Sequence, residues 1–261
     1  MNIEDLFGIS GKVALVTGGA KGLGYMIASG LVAAGATVYL AGRDRRALEA
    51  VADRIGTERC YSIAGDLLKE QFIDDLVDQI DKRGTGLDIL VNNAGATWGA
   101  PFETHPPERF SRVLSLNLEV PFRLTQRAMP LLLRNATHEC PARIINIASV
   151  DGMEPPQWES YGYSSSKAAM IMLTRHLAGR LASDNITVNA ISPGLFRSPM
   201  TEFLFKSSAA EDISAPIPLG RAGTTEDIVG AVIYLASRAG AWVTGVNLPV
   251  TGGVATARLS E

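Results

Sequence analysis

Residues 13–24 read Val-Ala-Leu-Val-Thr-Gly-Gly-Ala-Lys-Gly-Leu-Gly, and no other stretch narrows the choice of fold as far. The apolar run 13–16 has the length of a strand buried on both faces, as in a parallel sheet. A glycine-rich turn, Thr17-Gly18-Gly19-Ala20-Lys21-Gly22-Leu23-Gly24, follows at once. Residues 25–34 then have a helical pattern closed by Gly35, and Thr37-Val38-Tyr39-Leu40 reads as a second strand. Strand, glycine turn, helix and strand in that order make the βαβ unit of a dinucleotide site. Its glycines let the main chain approach a pyrophosphate, and the helix N-terminus offers unpaired N–H groups to it.

The rest of the chain repeats the theme. Strands are expected at 60–64, 87–91, 143–148, 186–191 and 243–250, and helices from Pro107, over 163–183 and over 226–237. The expected fold is therefore α/β: one doubly wound, Rossmann-type domain with a mostly parallel, seven-stranded sheet and helices on both faces. No linker or repeat interrupts residues 1–261, which divide into a glycine-rich cofactor half, 11–95, and a catalytic and substrate half, 96–261. The net charge of −3 has no concentrated basic run, which argues against nucleic acid as a partner. The acidic start, Met1-Asn2-Ile3-Glu4-Asp5, lacks a signal-peptide core, and no apolar run is long enough to span a membrane. Cys60 and Cys140 belong to no Cys/His cluster, so a cytoplasmic, reduced protein without a metal site is expected.

Ligands of open α/β sheets bind outside the C-terminal strand ends. Ser149 stands at such an end, after the strand 143–148. Tyr163 and Lys167, four residues apart, share one face of the helix that follows. A lysine beside a phenol favours the phenolate, so a lowered tyrosine pKa is expected. Alone, such a pair is as compatible with a solvated helix surface.

In combination these features resemble the short-chain dehydrogenase/reductase family. Thr17, Gly18, Gly22 and Gly24 fit its T-G-x-x-x-G-x-G motif, Asn92-Asn93-Ala94-Gly95 its N-N-A-G motif, and Ser149, Tyr163 and Lys167 its catalytic set. The resemblance implies that Asn117 bends its helix and holds a water linking the lysine to solvent. It also places Thr17, Gly18, Lys21, Gly22, Leu23, Gly24, Asp66, Leu67, Asn93, Ala94 and Gly95 on the adenosine and phosphates. Tyr163, Lys167, Pro193, Gly194 and Ser198 would hold the nicotinamide end. Where an NAD enzyme carries an acid this chain has Gly42, followed by Arg43. With Lys21, that favours the 2′-phosphate of NADP(H). Asp44 caps the next helix or approaches the ribose, and Asp66 caps a helix, meets the adenine, or does both.

The 14-position gap from Ser149 to Tyr163 and the Trp98-Gly99-Ala100 segment resemble the NADP-dependent β-ketoacyl reductase branch associated with rhamnolipid synthesis. The implied activity is reduction of a ketone, best guessed as a 3-oxoacyl thioester on CoA or acyl carrier protein, by a homotetramer. Members that dock a carrier protein place a basic residue where this chain has Ser183-Asp184-Asn185. That leaves two alternatives: a general NADP-dependent ketone or secondary-alcohol dehydrogenase, and a non-catalytic NADP-binding sensor. Trp98 and Phe102 form either a substrate wall or a satellite hydrophobic cluster. Met200, Phe203, Leu204 and Phe205 form a substrate lid or part of the core. The apolar stripe Met172, Leu173, Leu177 and Leu181 serves the core and, by resemblance, a helix-pair contact between subunits. Thr251, before Gly252-Gly253, has no assigned function.

Overall fold

The computed structural model describes residues 2–56, 58–156, 158–207 and 213–257. Among them run β1 (Val13–Thr17), α2 (Gly22–Ala33), β2 (Thr37–Gly42), α3 (Arg45–Ile55), β3 (Cys60–Ala64), α4 (Glu70–Asp81) and β4 (Ile89–Asn92), after a short α1 (Ile3–Phe7). Then follow α5 (Pro107–Leu114), α6 (Val120–Leu133), β5 (Ala142–Ile147), α7 (Tyr161–Leu181), β6 (Ile186–Pro193), α8 (Glu202–Ser207), α9 (Thr225–Ala236) and β7 (Asn247–Val250). The seven strands lie in the order β3-β2-β1-β4-β5-β6-β7. All six pairings are parallel, not merely most of them.

Parallel strands bury both faces. In β1, Ala14 and Val16 pack on one side with Ile27 and Leu31 of α2 and Val232 of α9. Val13 and Leu15 pack on the other with Leu76 of α4, Leu124 of α6 and Leu181 of α7. The order reverses between β1 and β4, so the loops after these two strands diverge and leave a crevice at their C-terminal ends.

Several boundaries differ from the sequence reading by one to a few residues, among them those of β4 and β6. Helix α2 begins at Gly22, inside the glycine turn, because Gly22 takes φ +56° and turns the chain directly into the helix. Helix α7 starts two residues early, at Tyr161. Strand β7 keeps only the last four residues of the run 243–250, since Gly245 at φ +76° forms a turn before it.

At the opposite end of the strands one carboxylate fastens the switch point. Asp88 accepts Val13 N at 2.8 Å and Lys12 Nζ at 2.9 Å, while its main chain bonds Val13 and Arg143. Its side chain is 12% exposed, so removal takes the partner of the Val13 N–H and leaves Lys12 with Cys140 Sγ at 3.0 Å. Asp88→Ala is expected to lower unfolding free energy by about 2–4 kcal/mol, read by urea denaturation. A loss below about 1 kcal/mol would mean that the strand pairing holds without this clamp.

Candidate active site

The cleft at the switch point has a volume of about 890 Å³. One wall is the glycine turn. Gly18 N donates to Ala41 O at 2.7 Å, and Thr17 Oγ1 accepts Asn93 N and Ala94 N, each at 3.0 Å. Asn93 Nδ2 returns a bond to Thr17 O at 2.8 Å. A Cβ at Gly24 would run into the Gly18 carbonyl and the Asn93 amide, so only glycine fits where α2 crosses this turn. No side chain caps the N-terminus of α2, and its first turn carries no acid. The helix therefore offers its free N–H groups to the cleft.

Gly18, Lys21, Gly22, Leu23, Gly24, Arg43, Asp66, Leu67, Asn93, Ala94, Gly95, Ser149, Tyr163, Lys167, Pro193, Gly194 and Ser198 all line this one cleft. Two residues of the expected site do not. Thr17 is buried behind the wall, tying β1 to the Asn93 turn, and Asn117 is buried beneath it. Lys21 and Arg43 have no ion-pair partner among the described residues, whereas Asp44 is engaged as the cap of α3 through Ala47 N at 3.1 Å. Asp66 Oδ1 accepts Leu68 N at 3.1 Å. A glycine cradle, an uncapped helix end and two free cations beside Gly42 fit a dinucleotide bearing a 2′-phosphate.

The facing wall is built from β5 and α7. Ser149 follows β5 in extended backbone, and its Oγ accepts Asp151 N at 3.1 Å. Tyr163 lies in the first turn of α7 and is held at its hydroxyl by Ser149. Tyr161, by contrast, donates to Glu159 Oε1 at 3.1 Å and packs edge-on against Phe102 and His105 at the surface. In the loop between, Gln157 lies outside the described residues.

Lys167 is 4% exposed; its Nζ donates to Ile147 O at 2.6 Å and lies 5.6 Å from the centre of the Tyr163 ring. The expected lowering of the tyrosine pKa does not occur in this state. Burial pushes the Tyr163 phenol up to about 12, the Ser149 hydrogen bond only partly offsets this, and Asp151 repels the phenolate further. Burial also pulls Lys167 down to about 8, and holds the Asp151 carboxyl above its usual range. Desolvation of the charged form dominates both shifts.

Asn117 sits in a π-helical turn, Ser115–Glu119, between α5 and α6. Its Oδ1 accepts Ala96 N at 2.9 Å; its Nδ2 donates to Ala96 O at 3.0 Å and Ser166 Oγ at 2.9 Å. Ser166 Oγ in turn donates to Tyr163 O at 2.7 Å. This side chain thus braces the Gly95-Ala96 turn against α7 and makes no direct bond to Lys167.

Ser198 packs against Gly22, where a Cβ would lie 3.2 Å from its own Cβ, and is fixed by Thr201, whose Oγ1 accepts Ser198 N at 3.0 Å and donates to Phe196 O at 2.6 Å. Thr201 lines the cleft, as do Arg109, Arg112 and Val113 of α5, and sequence reasoning missed all four. For α5 a signal existed: Arg109, Val113 and Leu116 share one helix face by spacing. Of the aromatic pair, Trp98 lines the cleft, while Phe102 joins the surface cluster around Tyr161. Thr251 is packed against Gly194, where it supports the cleft floor.

The sequence profile described as enoyl-(acyl carrier protein) reductase matches residues 18–255. The rhamnolipids biosynthesis 3-oxoacyl-[acyl-carrier-protein] reductase of Pseudomonas aeruginosa is 43% identical, over 96% of this chain and 99% of that protein. The solved Pseudomonas aeruginosa RhlG/NADP active-site complex superposes with a TM-score of 0.92 at 41% identity, covering 98% of this chain and 100% of that one. A short-chain type dehydrogenase/reductase from Mycobacterium marinum has a TM-score of 0.87 at 33% identity, covering 97% of this chain and 98% of that one.

Replacing Asp151 with Asn removes a negative neighbour, so the Tyr163 phenol should ionise at lower pH than in the parent. Ultraviolet difference titration of phenolate, referenced to Tyr163→Phe, reads this; an unmoved or raised transition would contradict the assigned repulsion.

Proposed function

The chain belongs to the short-chain dehydrogenase/reductase family, and we propose that it is an NADP(H)-dependent reductase that converts the ketone of a 3-oxoacyl thioester to a secondary alcohol. One observation carries this reading: Ser149, Tyr163 and Lys167 line the same cleft as the glycine turn and its two unpaired cations. Lys21 and Arg43 would hold the 2′-phosphate, the N-terminus of α2 the pyrophosphate, and Asp66 and Leu67 the adenine side. Asn93, Ala94 and Gly95 would line the adenosine ribose. Pro193, Gly194 and Ser198 would hold the carboxamide, and Tyr163 and Lys167 the nicotinamide ribose. When bound, NADPH supplies the hydride.

The protein supplies position and the proton. Ser149, steadied by Asp151 N–H, donates its hydroxyl hydrogen to the ketone oxygen and stabilises the charge that develops there. Tyr163 then gives its proton to that oxygen. With the phenol up at about 12, Tyr163 carries its proton throughout the neutral range, which is the form that reduction requires. Lys167, largely charged below about pH 8, stabilises the phenolate left behind. Asn117 positions rather than touches the reacting atoms, through Ala96 and Ser166.

The segment with Met200, Phe203, Leu204 and Phe205 acts as the substrate lid, since Met200 lines the cleft and Phe203 stands exposed beside it. In the stripe on α7, Leu181 is buried in the core and Met172 is exposed; with the exposed Phe122 of α6 it supports a homotetramer through α6 and α7. Among the described residues no helix is long and apolar enough to cross a membrane.

One observation favours a second reading. Asp184 stands where a carrier protein's acidic face would need a cation, and it is paired with Arg180 at 3.0 Å. A free ketone, as in a general NADP-dependent ketone or secondary-alcohol dehydrogenase, would suit that surface better than a carrier-bound chain.

Loss of reduced-nicotinamide absorbance with acetoacetyl-CoA, with NADPH and NADH in parallel, tests the reading. NADPH should be preferred, and Tyr163→Phe should lower kcat by about 100-fold or more. Lys21→Ala and Arg43→Ala should each raise the KM for NADPH about 10- to 100-fold and leave that for NADH nearly unchanged. A preference for NADH would contradict the role of both cations. Turnover confined to simple ketones would select the second reading.

A further inference from the structure

At the foot of the sheet, away from the cleft, two cations share one carboxylate. Lys12 precedes β1, Asp88 precedes β4 and Arg143 is the second residue of β5. Arg143 N donates to Asp88 O at 2.8 Å, which brings the three together at one end of the strands. The Arg143 side chain is buried, and its Nη2 donates to Ser237 O at 3.0 Å. Its Nε and Nη1 have no hydrogen-bond partner, and among the described residues it forms no ion pair. Asp88 is already engaged by Val13 N and Lys12 Nζ. A buried guanidinium without a counter-charge is destabilising.

Cys140 supplies the missing acid. Lys12 Nζ donates to its Sγ at 3.0 Å. Reciprocal bonds hold the turn that carries it: Cys140 N donates to Thr137 Oγ1 at 3.1 Å, and Thr137 N to Cys140 O at 3.2 Å. Burial weighs against a charge on Lys12, yet its bonds to Cys140 and Asp88 outweigh this and hold the ammonium above its ordinary range. Burial pulls the Arg143 guanidinium below its usual range, and Cys140 is the neighbour that opposes the pull. As a thiolate, Cys140 balances the cluster, with Lys12 and Arg143 against Asp88 and Cys140. It is also within reach of solutes, being half-buried beside a Lys12 side chain that is 30% exposed. Cys60 differs on both counts: it is buried, and burial pushes its thiol up to about 12.

We propose that Cys140 is an oxidation site at which the thiolate reacts with hydrogen peroxide, Lys12 supplies the proton, and the product loosens the Asp88 clamp. The sulfur attacks one peroxide oxygen. The S–O bond forms, the O–O bond breaks, and the departing hydroxide takes a proton from the Lys12 ammonium and leaves as water. Sulfur gives up two electrons and becomes a sulfenic acid, and the peroxide accepts them. Lys12 then regains its proton from solvent. The new oxygen replaces Sγ as the acceptor and stands one bond length beyond it. Lys12 has to move to follow, and its bond to Asp88 is disturbed with it.

The test treats the whole, reduced chain with hydrogen peroxide at neutral pH and captures sulfenic acid with dimedone, read by peptide mass spectrometry. The label should appear at Cys140 and not at Cys60, about fivefold or more faster than on free cysteine. Lys12→Met should slow the reaction about fivefold or more, and Lys12→Arg should keep most of the rate, with circular dichroism showing that both variants fold. Without dimedone, oxidation should lower the urea midpoint of the parent by about 0.3 M or more. The same treatment should leave the midpoint of Cys140→Ser unmoved. Labelling of Cys60 ahead of Cys140, or of Cys140 no faster than free cysteine, would overturn the reactive thiol on the parent protein alone. An equal rate in Lys12→Met would overturn the role of the lysine. Fast labelling with an unmoved urea midpoint would overturn the link to the clamp. All of these outcomes are independent of the reductase reading.

Discussion

A lysine ammonium buried against one carbonyl governs how this site is built. Lys167 is held by Ile147 O at the end of β5, and burial lowers its pKa from its ordinary 10.5 to about 8. The folded chain therefore holds this proton less tightly than the unfolded one. The resulting penalty on folding is full below about pH 8 and relaxes as pH rises towards 10.5. A fold retains such a charge only where the surroundings over-determine it. Here Gly152 supplies that constraint, because a Cβ would lie 2.6 Å from the Lys167 carbonyl carbon. The turn after Ser149, the end of β5 and the second turn of α7 are thereby locked together, and Tyr163 is carried along one helical turn before the lysine.

Beneath that contact runs a buried polar chain. Asn92 Nδ2 donates to Asn146 Oδ1 at 2.8 Å, Asn146 Nδ2 to Thr174 Oγ1 at 2.9 Å, and Thr174 Oγ1 to Met170 O at 2.8 Å. It joins β4, β5 and α7 through groups that have no solvent to fall back on. Asn92 and Asn146 are opposite one another in the strand register, so a one-residue slip would break the chain. Together with the Thr17–Asn93 bonds it fixes both walls of the cleft to one sheet. Register thus sets where the strand ends stand, and the bonded turns after them set the side chains that face the cleft.

The architecture was legible because parallel strands write themselves as apolar runs, and the glycine turn names the strand it follows. The cleft-lining set was legible for the same reason, since the strand ends converge. What escaped was everything decided by desolvation or by side-chain partners. Four-residue spacing placed Lys167 near Tyr163, but spacing says nothing of how deeply the phenol is sunk, and burial reversed the expected pKa direction. Thr17 and Asn117 sit in the right motifs yet face away from the cleft, because their hydrogen bonds brace the turns that do face it. Thr201 gave no signal: its role lies in Ser198 and Phe196, three and five residues away through an irregular turn. The π-helical turn at Asn117 lies within an apolar pattern that reads as one continuous helix, and only the family resemblance implied a bend there.

The central claim is that the cleft presents a ketone to a reduced nicotinamide beside Tyr163. The most direct measurement follows deuterium from NADPH labelled at one face of the nicotinamide C4 into acetoacetyl-CoA, with the product analysed by mass spectrometry and chiral chromatography. One face-specific label should arrive on the former ketone carbon, in a single enantiomer of the alcohol. Product without the label from either face, or a racemic alcohol, would contradict a reaction held between these two walls.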